Sequence, residues 1–307
     1  MATVHHLAPG AAGPTLREAA TIFCDTLAAP GTRRVYTGTL RALLAHAGPL
    51  TPVAALAEPP VGATITAWFL ERWGACAPAT FNRNLDALRS AIGYWQAQDW
   101  LGSDPTRPLR RRRPPPDRTR AVSRAALDHL LGRADIPLRE KTLWRMLYET
   151  AARASEVLAL DVADLDLRNR RAQVRRKGGA VDLIVWQTGT ARLLPRLLNG
   201  RRAGPVFLTA RRARLPLAAA DLDPASGQAR LSYRRAAELF AEATGGWTLH
   251  QLRHSALTHA AEAGANTATL LAYSGHTSVA SLARYTRVSP EALARWQTSR
   301  DPATRRL

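Results

Sequence analysis

Residues 248–264 read TLHQLRHSALTHAAEAG, and this stretch decides how the second half of the chain folds. Thr248 stands three residues before Gln251, the spacing of a capping box, in which the two side chains satisfy backbone donors reciprocally. Leu249, Leu252, Ala256 and Ala260 recur at helical spacing, and Gly264 supplies the stop. The spacing predicts a helix over 249–263. His250 and Arg253 are three apart, so they share a face of its first turn. A helix N-terminus already favours an anion. Taken alone, the same pair would also suit a cap on a neighbouring loop.

Working outward, residues 274–289 read SGHTSVASLARYTRVS. A helix is predicted over 266–273, ended by Ser274 and Gly275, with His276 directly after the stop. Residues 278–285 form a further short helical segment anchored by Val279 and Leu282, and Tyr285 closes it. Upstream, 151–160 read AARASEVLAL and place Arg153 three residues before Glu156. A strongly apolar helix over 138–150 precedes them. A short helix over 155–160 follows, and then a turn into a strand over 161–167. Residues 172–176 and 181–186 flank Lys177-Gly178-Gly179, the pattern of a hairpin with the lysine at its tip. The remainder is predicted helical. The fold class expected is therefore mainly α with a small β-sheet in the second domain.

In chain order the chemical residues are Arg153, Lys177, His250, Arg253, His276 and Tyr285. A tyrosine preceded by so many cationic or proton-carrying groups points to chemistry on a phosphodiester. The hydroxyl can attack phosphorus, and two guanidiniums can hold the phosphate oxygens in bidentate fashion. Lysine and histidine can move protons. With arginines neutralising the charge, no metal and no cofactor is called for.

Composition agrees. Lysine and arginine number 43 against 24 acids, a formal charge of +19 over 307 residues, the electrostatic footprint of a nucleic-acid partner. Part of the arginine excess reflects codon usage, but that does not account for the shortage of acids. No run approaches the roughly 18 apolar residues of a membrane span, and the first residues carry no apolar signal region. Cys24 and Cys76 are too few for a disulfide framework. A cytoplasmic location is expected.

The clearest boundary is 107–120, RPLRRRRPPPDRTR, with seven arginines, four prolines and one acid. Like charges repel and the prolines favour an extended conformation. It reads as an unpacked linker, compatible with a cationic strap along phosphates through Arg110, Arg111, Arg112 and Arg113. The expected organisation is a helical domain over 13–105, a linker over 106–120 and a second domain over 121–300. In the first domain, helices are predicted over 15–27, 32–47, 65–73 and 79–95. The last carries Phe81, Leu85, Leu88, Ile92 and Trp95 as one stripe. Its other face holds Asn82, Arg83, Asn84 and Arg89, among which Arg83 and Arg89 are candidate phosphate contacts. A helix over 124–131 with Ser123 as N-cap opens the second domain.

The ordered boxes AARASEVLAL, the hairpin lysine, HQLRHSALTHA and SGHTSVASLARYTRVS resemble the catalytic domain of the tyrosine recombinase (phage integrase) superfamily over about 121–300. The preceding helices are similar to that family's core-binding, SAM-like DNA-binding domain. The resemblance implies a two-domain, C-shaped DNA clamp and a site-specific recombinase. It implies Tyr285 as nucleophile, forming a 3′-phosphotyrosyl intermediate, with strand exchange through a Holliday junction and no ATP. Arg153 and Arg253 would clamp the phosphate, with Glu156 supporting Arg153. Lys177 would protonate the leaving 5′ oxygen. His250 would take the tyrosine proton, and His276 would hydrogen-bond a nonbridging oxygen. The implied partner is double-stranded DNA bearing an inverted-repeat site, bound by a homotetramer, or a heterotetramer with a related recombinase. The 290–300 helix, with Leu293 and Trp296, would either pack on its own domain or dock into a neighbouring protomer.

Three departures stand out. Ala151-Ala152 replaces glycine-leucine before Arg153. KGGAVDLIVW (177–186) lacks the family's further basic residues and valine-proline. Ser274 replaces a leucine. Lys177 remains the hairpin candidate, because Lys141, the only other lysine, falls within a helix. The short stretch before the first helix leaves no room for an arm-binding domain, which favours an Xer-like or mobile-element role. Alternatives are a type IB topoisomerase, or a catalytically silent DNA-binding relative.

Overall fold

The computed structural model describes residues 13–113, 121–176, 179–214, 216–275, 278–282, 293–294 and 296–298. The chain divides into two compact units, Met1–Asp117 and Arg118–Leu307.

In the first unit, Thr15 caps helix α1 (Leu16–Asp25), with Glu18 bonded back to the Thr15 backbone at 2.9 Å. Helices α2 (Pro30–Ala47), α3 (Pro59–Trp73) and α4 (Pro78–Ala97) each begin with a proline in their first turn, where its missing N–H costs nothing. The predicted α4 stripe is the spine of this core, with Phe81, Leu85, Leu88, Ile92 and Trp95 all buried. α3 starts six residues earlier than its apolar pattern suggests, because Pro59 and Pro60 open a first turn that needs no stripe.

Up to Arg113 the arginine-rich segment corrects the expectation of an unpacked linker; residues 114–120 lie outside the described residues. Thr106 and Leu109 are buried. Arg89 donates from Nη2 to the carbonyls of Leu109 (2.7 Å) and Thr106 (3.2 Å). The Arg112 guanidinium lies 3.9 Å from the centroid of the Phe81 ring and donates to the Gly74 carbonyl at 2.6 Å. The buried Asn82 amide exchanges two hydrogen bonds with the Arg112 backbone, at 2.7 and 2.8 Å. Arg111 pairs with Asp86. Residues 106–113 therefore run along α4 as part of the unit. Asn82→Ala strips partners from one backbone donor and one acceptor, so it is expected to cost about 1–3 kcal/mol. It should also make the bonds after Arg110, Arg111 and Arg112 cleavable by trypsin in the native protein. A variant as resistant as the parent would refute this account.

The second unit is built around α6 (Leu138–Thr150), whose Leu143, Trp144, Met146 and Leu147 are fully buried. It packs against α8 (Thr188–Leu198) and α10 (Leu249–Glu262). Ser123 caps α5 (Arg124–Gly132) with a 3.2 Å bond from Ala126 N–H. A short α7 (Ala154–Leu158) leads into an antiparallel sheet of β1 (Leu165–Asp166), β2 (Arg171–Arg175) and β3 (Val181–Val185) in that order. On β2 and β3, Ala172, Val174 and Ile184 face the core, while Val181, Leu183 and Val185 are exposed.

The stretch predicted to be wholly helical also contains a second sheet. β4 (Leu208–Arg212) pairs antiparallel with β5 (Gln228–Arg230) before α9 (Tyr233–Thr244). Its strands are short and loaded with arginine, so the alternation that signals a strand is missing. α11 (Thr267–Ser274) is capped by Asn266 and ends at Gly275, whose φ is +61°. A 3-10 turn over Val279–Leu282 follows. Leu282 is buried as expected, but Val279 is exposed. Among the described residues, no helix is long and apolar enough to cross a membrane.

α10 also buries a titratable group against α6. Burial first, then the charge of Arg124, hold the His259 imidazole below its ordinary value, outweighing Glu262, the Val122 backbone and Asp128. Tyr148, its own pKa raised chiefly by burial, stays protonated and shares a 2.9 Å hydrogen bond with His259 Nδ1. The neutral ring is thus the folded form. The unfolded chain takes up the proton first as pH falls, so this contribution is complete above about pH 6.5. It is lost progressively below that value, down through the depressed folded pKa. His259→Gln is expected to flatten the fall of Tm on that acid limb. An unchanged slope would place the acid sensitivity elsewhere.

Candidate active site

Helix α6 ends in a left-handed residue, Ala151, with φ +49° and no exposure. A side chain there costs on the order of 1–2 kcal/mol of strain, and the turn sends the chain directly into Arg153 and α7. Arg153 is the N-cap of α7, and its backbone N–H donates to Glu156 Oε2 at 2.9 Å. Its Nη1 donates to Glu156 Oε1 at 2.7 Å. The Arg153 side chain is 37% exposed and that of Glu156 only 4%. The carboxylate is therefore a buried bracket, and the guanidinium it holds reaches the surface.

Arg253 comes from α10, one turn after its N-terminus. Gln251 accepts from Thr248 N–H at 2.7 Å, the expected cap. Arg253 is 2% exposed. Its Nη1 donates to the Ala151 carbonyl, and its Nη2 to the Ser274 carbonyl at 2.8 Å. One side chain thus ties the turn before Arg153 to the end of α11, segments more than a hundred residues apart in sequence. His250 is exposed while Arg253 is buried, so the pair expected to share one face divides between surface and interior.

A residue that sequence reading passed over completes the cluster. Arg176, at the root of the β2–β3 hairpin, donates from Nη1 to Glu156 Oε2 at 2.7 Å and from Nε to Asp182 Oδ2 at 3.0 Å. Arg153 and Arg176 line one wall of an open groove of about 910 Å³, with β3 and the α11 residues Thr269, Ala272 and Tyr273 along its sides. The signal for Arg176 lay in the acids. Glu156 and Asp182 are two carboxylates in an acid-poor chain, and each needs a cation.

Lys177, His276 and Tyr285 lie outside the described residues. Their chain neighbours do not: Arg176 precedes Lys177, and Gly275 precedes His276. Gly275 lies against Arg176, since a Cβ there would run into the guanidinium carbon. Of the candidate DNA contacts in the first unit, Arg83, Arg110, Arg111 and Arg113 are exposed, whereas Arg89 and Arg112 hold internal partners. Leu293 and Trp296 are exposed, at 50% and 47%.

The phage integrase family model matches residues 121–292. A tyrosine recombinase XerC of Mycobacterium sp. (strain KMS) is 31% identical over 274 residues, covering 84% of this chain and 88% of that protein. A tyrosine recombinase XerD of Mycobacterium leprae (strain TN) is 32% identical over 234 residues, covering 69% of this chain and 70% of its own. Among solved structures, the Tn1549 transposon integrase in complex with circular intermediate DNA has a TM-score of 0.66 at 15% identity, covering 92% of this chain and 99% of that one. Lambda integrase bound to DNA has a TM-score of 0.61 at 16% identity, covering 89% and 96%. At these identities the two structures establish likeness of fold.

Proposed function

The chain belongs to the phage integrase family and is a site-specific DNA recombinase, and from that premise we propose that Tyr285 is its nucleophile. The Tyr285 oxygen forms a bond to the scissile phosphorus as the bond from phosphorus to the 5′ oxygen breaks. The products are a 3′-phosphotyrosyl protein and a free 5′ hydroxyl. His250 takes the phenol proton, and Lys177 gives a proton to the departing oxygen. Arg153 and Arg253 hold the nonbridging oxygens as charge gathers on them, with His276 as a further donor. Attack by the 5′ hydroxyl of a second strand reverses the step and rejoins the DNA, passing through a Holliday junction. Phosphoester energy is conserved in the intermediate, so no nucleotide is consumed.

The observation that carries this reading is Arg253. Its two carbonyl bonds bring the ends of α6 and α11 to one place, which sets the turn into Arg153 against the helix bearing His250 and supports the reading. The working assembly is a tetramer on two DNA duplexes that carry inverted repeats, formed by this chain alone or with a related recombinase. The exposure of Leu293 and Trp296 suits a C-terminal helix that docks on a neighbouring protomer. The exposed Arg83, Arg110, Arg111 and Arg113 serve phosphate contacts in the first unit, a role that orients the protein without reading sequence.

The test uses a supercoiled plasmid carrying two copies of the inverted repeat that flanks the coding sequence, incubated with the protein in EDTA. Recombinant circles whose formation requires both sites support the reading. Relaxation of a site-free plasmid without recombinants would identify a topoisomerase. Binding with neither product would identify a silent relative.

A further inference from the structure

Arg176 is as buried as a core residue, with a side chain 7% exposed. Its backbone closes the hairpin: its N–H donates to the Ala180 carbonyl at 2.7 Å, and its carbonyl accepts from Gly179 at 3.0 Å. Its guanidinium is gripped on three sides. Nη1 meets Glu156, and Nε meets Asp182. Nη2 lies 2.9 Å from the same Asp182 oxygen, close enough for the ion pair but poorly angled for a second hydrogen bond. Gly275 covers the third side, where its missing side chain and its φ of +61° are both required.

Glu156 is thus shared by two arginines. Its Oε1 receives Arg153 Nη1, and its Oε2 receives both the Arg153 backbone N–H and Arg176 Nη1. This sharing matters for a phosphate clamp. A lone Arg153–Glu156 pair would be neutral, and a buried carboxylate beside the clamp would cancel much of the field the phosphate feels. A second buried cation on that carboxylate removes the cancellation and leaves the hydrogen bonds that orient Arg153. Asp182 offsets Arg176 less effectively, because its side chain is 42% exposed and water screens it.

We propose that Arg176 is a positioning residue for the clamp: by neutralising and anchoring Glu156, it fixes the direction of Arg153 while leaving Arg153's charge for the phosphate. The proposal rests on the reading of Arg153 as a phosphate clamp. Arg176 makes and breaks no bond in the reaction.

The test is single-turnover cleavage of nicked duplexes by the full-length protein, with DNA affinity and thermal melting measured in parallel. Three duplexes are compared. One has the natural phosphate. One has an uncharged methylphosphonate at the scissile position. One has sulfur in place of the leaving 5′ oxygen, whose thiolate departs without a proton. Arg176→Gln is expected to slow cleavage of the natural phosphate on the order of a hundredfold, the scale of a misplaced group, with unchanged DNA affinity. Arg176→Lys, with charge but no fork, falls between. The Arg176→Gln defect is expected to shrink on the methylphosphonate, as it should for Arg153→Ala, and to persist on the sulfur substrate. Adding Arg176→Gln to Glu156→Gln is expected to cost little more than Glu156→Gln alone, a comparison that holds even where Arg176→Gln folds less well.

Wild-type rates in Arg176→Gln, or independent losses in the double variant, would overturn the proposal. A defect cured only by sulfur would also overturn it, by assigning Arg176 to the proton donor on its hairpin. An Arg153→Ala variant indifferent to phosphate charge would sink the clamp reading itself, and this proposal with it.

Discussion

Tyr285→Phe is expected to abolish covalent capture of a nicked duplex, lowering it by at least about a thousandfold, with DNA affinity unchanged. The substitution removes one oxygen and no charge, whereas affinity comes from the arginines. Among the described residues, one phenol lines the same groove as Arg153, that of Tyr273. Its hydroxyl points into the protein, toward the carbonyls of Tyr148 (3.2 Å) and Glu149 (3.0 Å). Burial first, then Tyr148 and Glu149, push its pKa far above the ordinary phenol value. A phenol so hard to ionise, with its one proton engaged, is a poor nucleophile. Tyr273→Phe should therefore keep the covalent band that Tyr285→Phe loses. Denaturing gels of both variants, run in EDTA on the same substrate, decide the matter. A band lost in Tyr273→Phe and kept in Tyr285→Phe would make Tyr273 the nucleophile and overturn the reading.

What could be read from sequence was whatever repeats at short range. The α4 stripe, the span of α6 and the Thr248–Gln251 cap all depend on steps of three or four residues, and the structure reproduces them. The β2–β3 hairpin was legible because Lys177-Gly178-Gly179 sits between apolar strands. What escaped depends on partners far away in the chain. Leu208–Arg212 and Gln228–Arg230 pair across a long connection without an apolar alternation to announce them. Four consecutive arginines suggested solvent, yet Arg112 finds an aromatic face and an asparagine thirty residues earlier. Arg176 was hidden by abundance, being one arginine among many until two acids in three dimensions single it out. Arg153 and Arg253 were legible among the cations that precede Tyr285, the role of Glu156 came from the resemblance, and the structure adds their connections: a shared carboxylate on one side and two carbonyls on the other.

Those connections separate catalysis from stability at the two arginines. Arg153→Ala is expected to slow single-turnover cleavage about 10²–10³-fold, the loss typical of one donor aimed at developing charge, with little change in Tm. Its guanidinium is partly exposed, and its bond to Glu156 is of the kind worth at most about 1 kcal/mol near solvent. Glu156 also keeps Arg176 and the backbone N–H of residue 153, so no buried charge is left alone. Arg153→Lys should recover only part of the rate, because a point charge cannot replace a planar fork on two oxygens. Arg253→Ala is a different experiment. That side chain is enclosed and donates to the carbonyls of Ala151 and Ser274, so its removal takes a donor from each and empties a core position. A loss of activity there would follow from unfolding as readily as from chemistry. Melting curves beside the cleavage rates tell the cases apart. An Arg153→Ala protein that cleaves within about threefold of the parent, far short of the loss of one such donor, would remove Arg153 from the reaction. The clamp would then have to be found elsewhere in the groove.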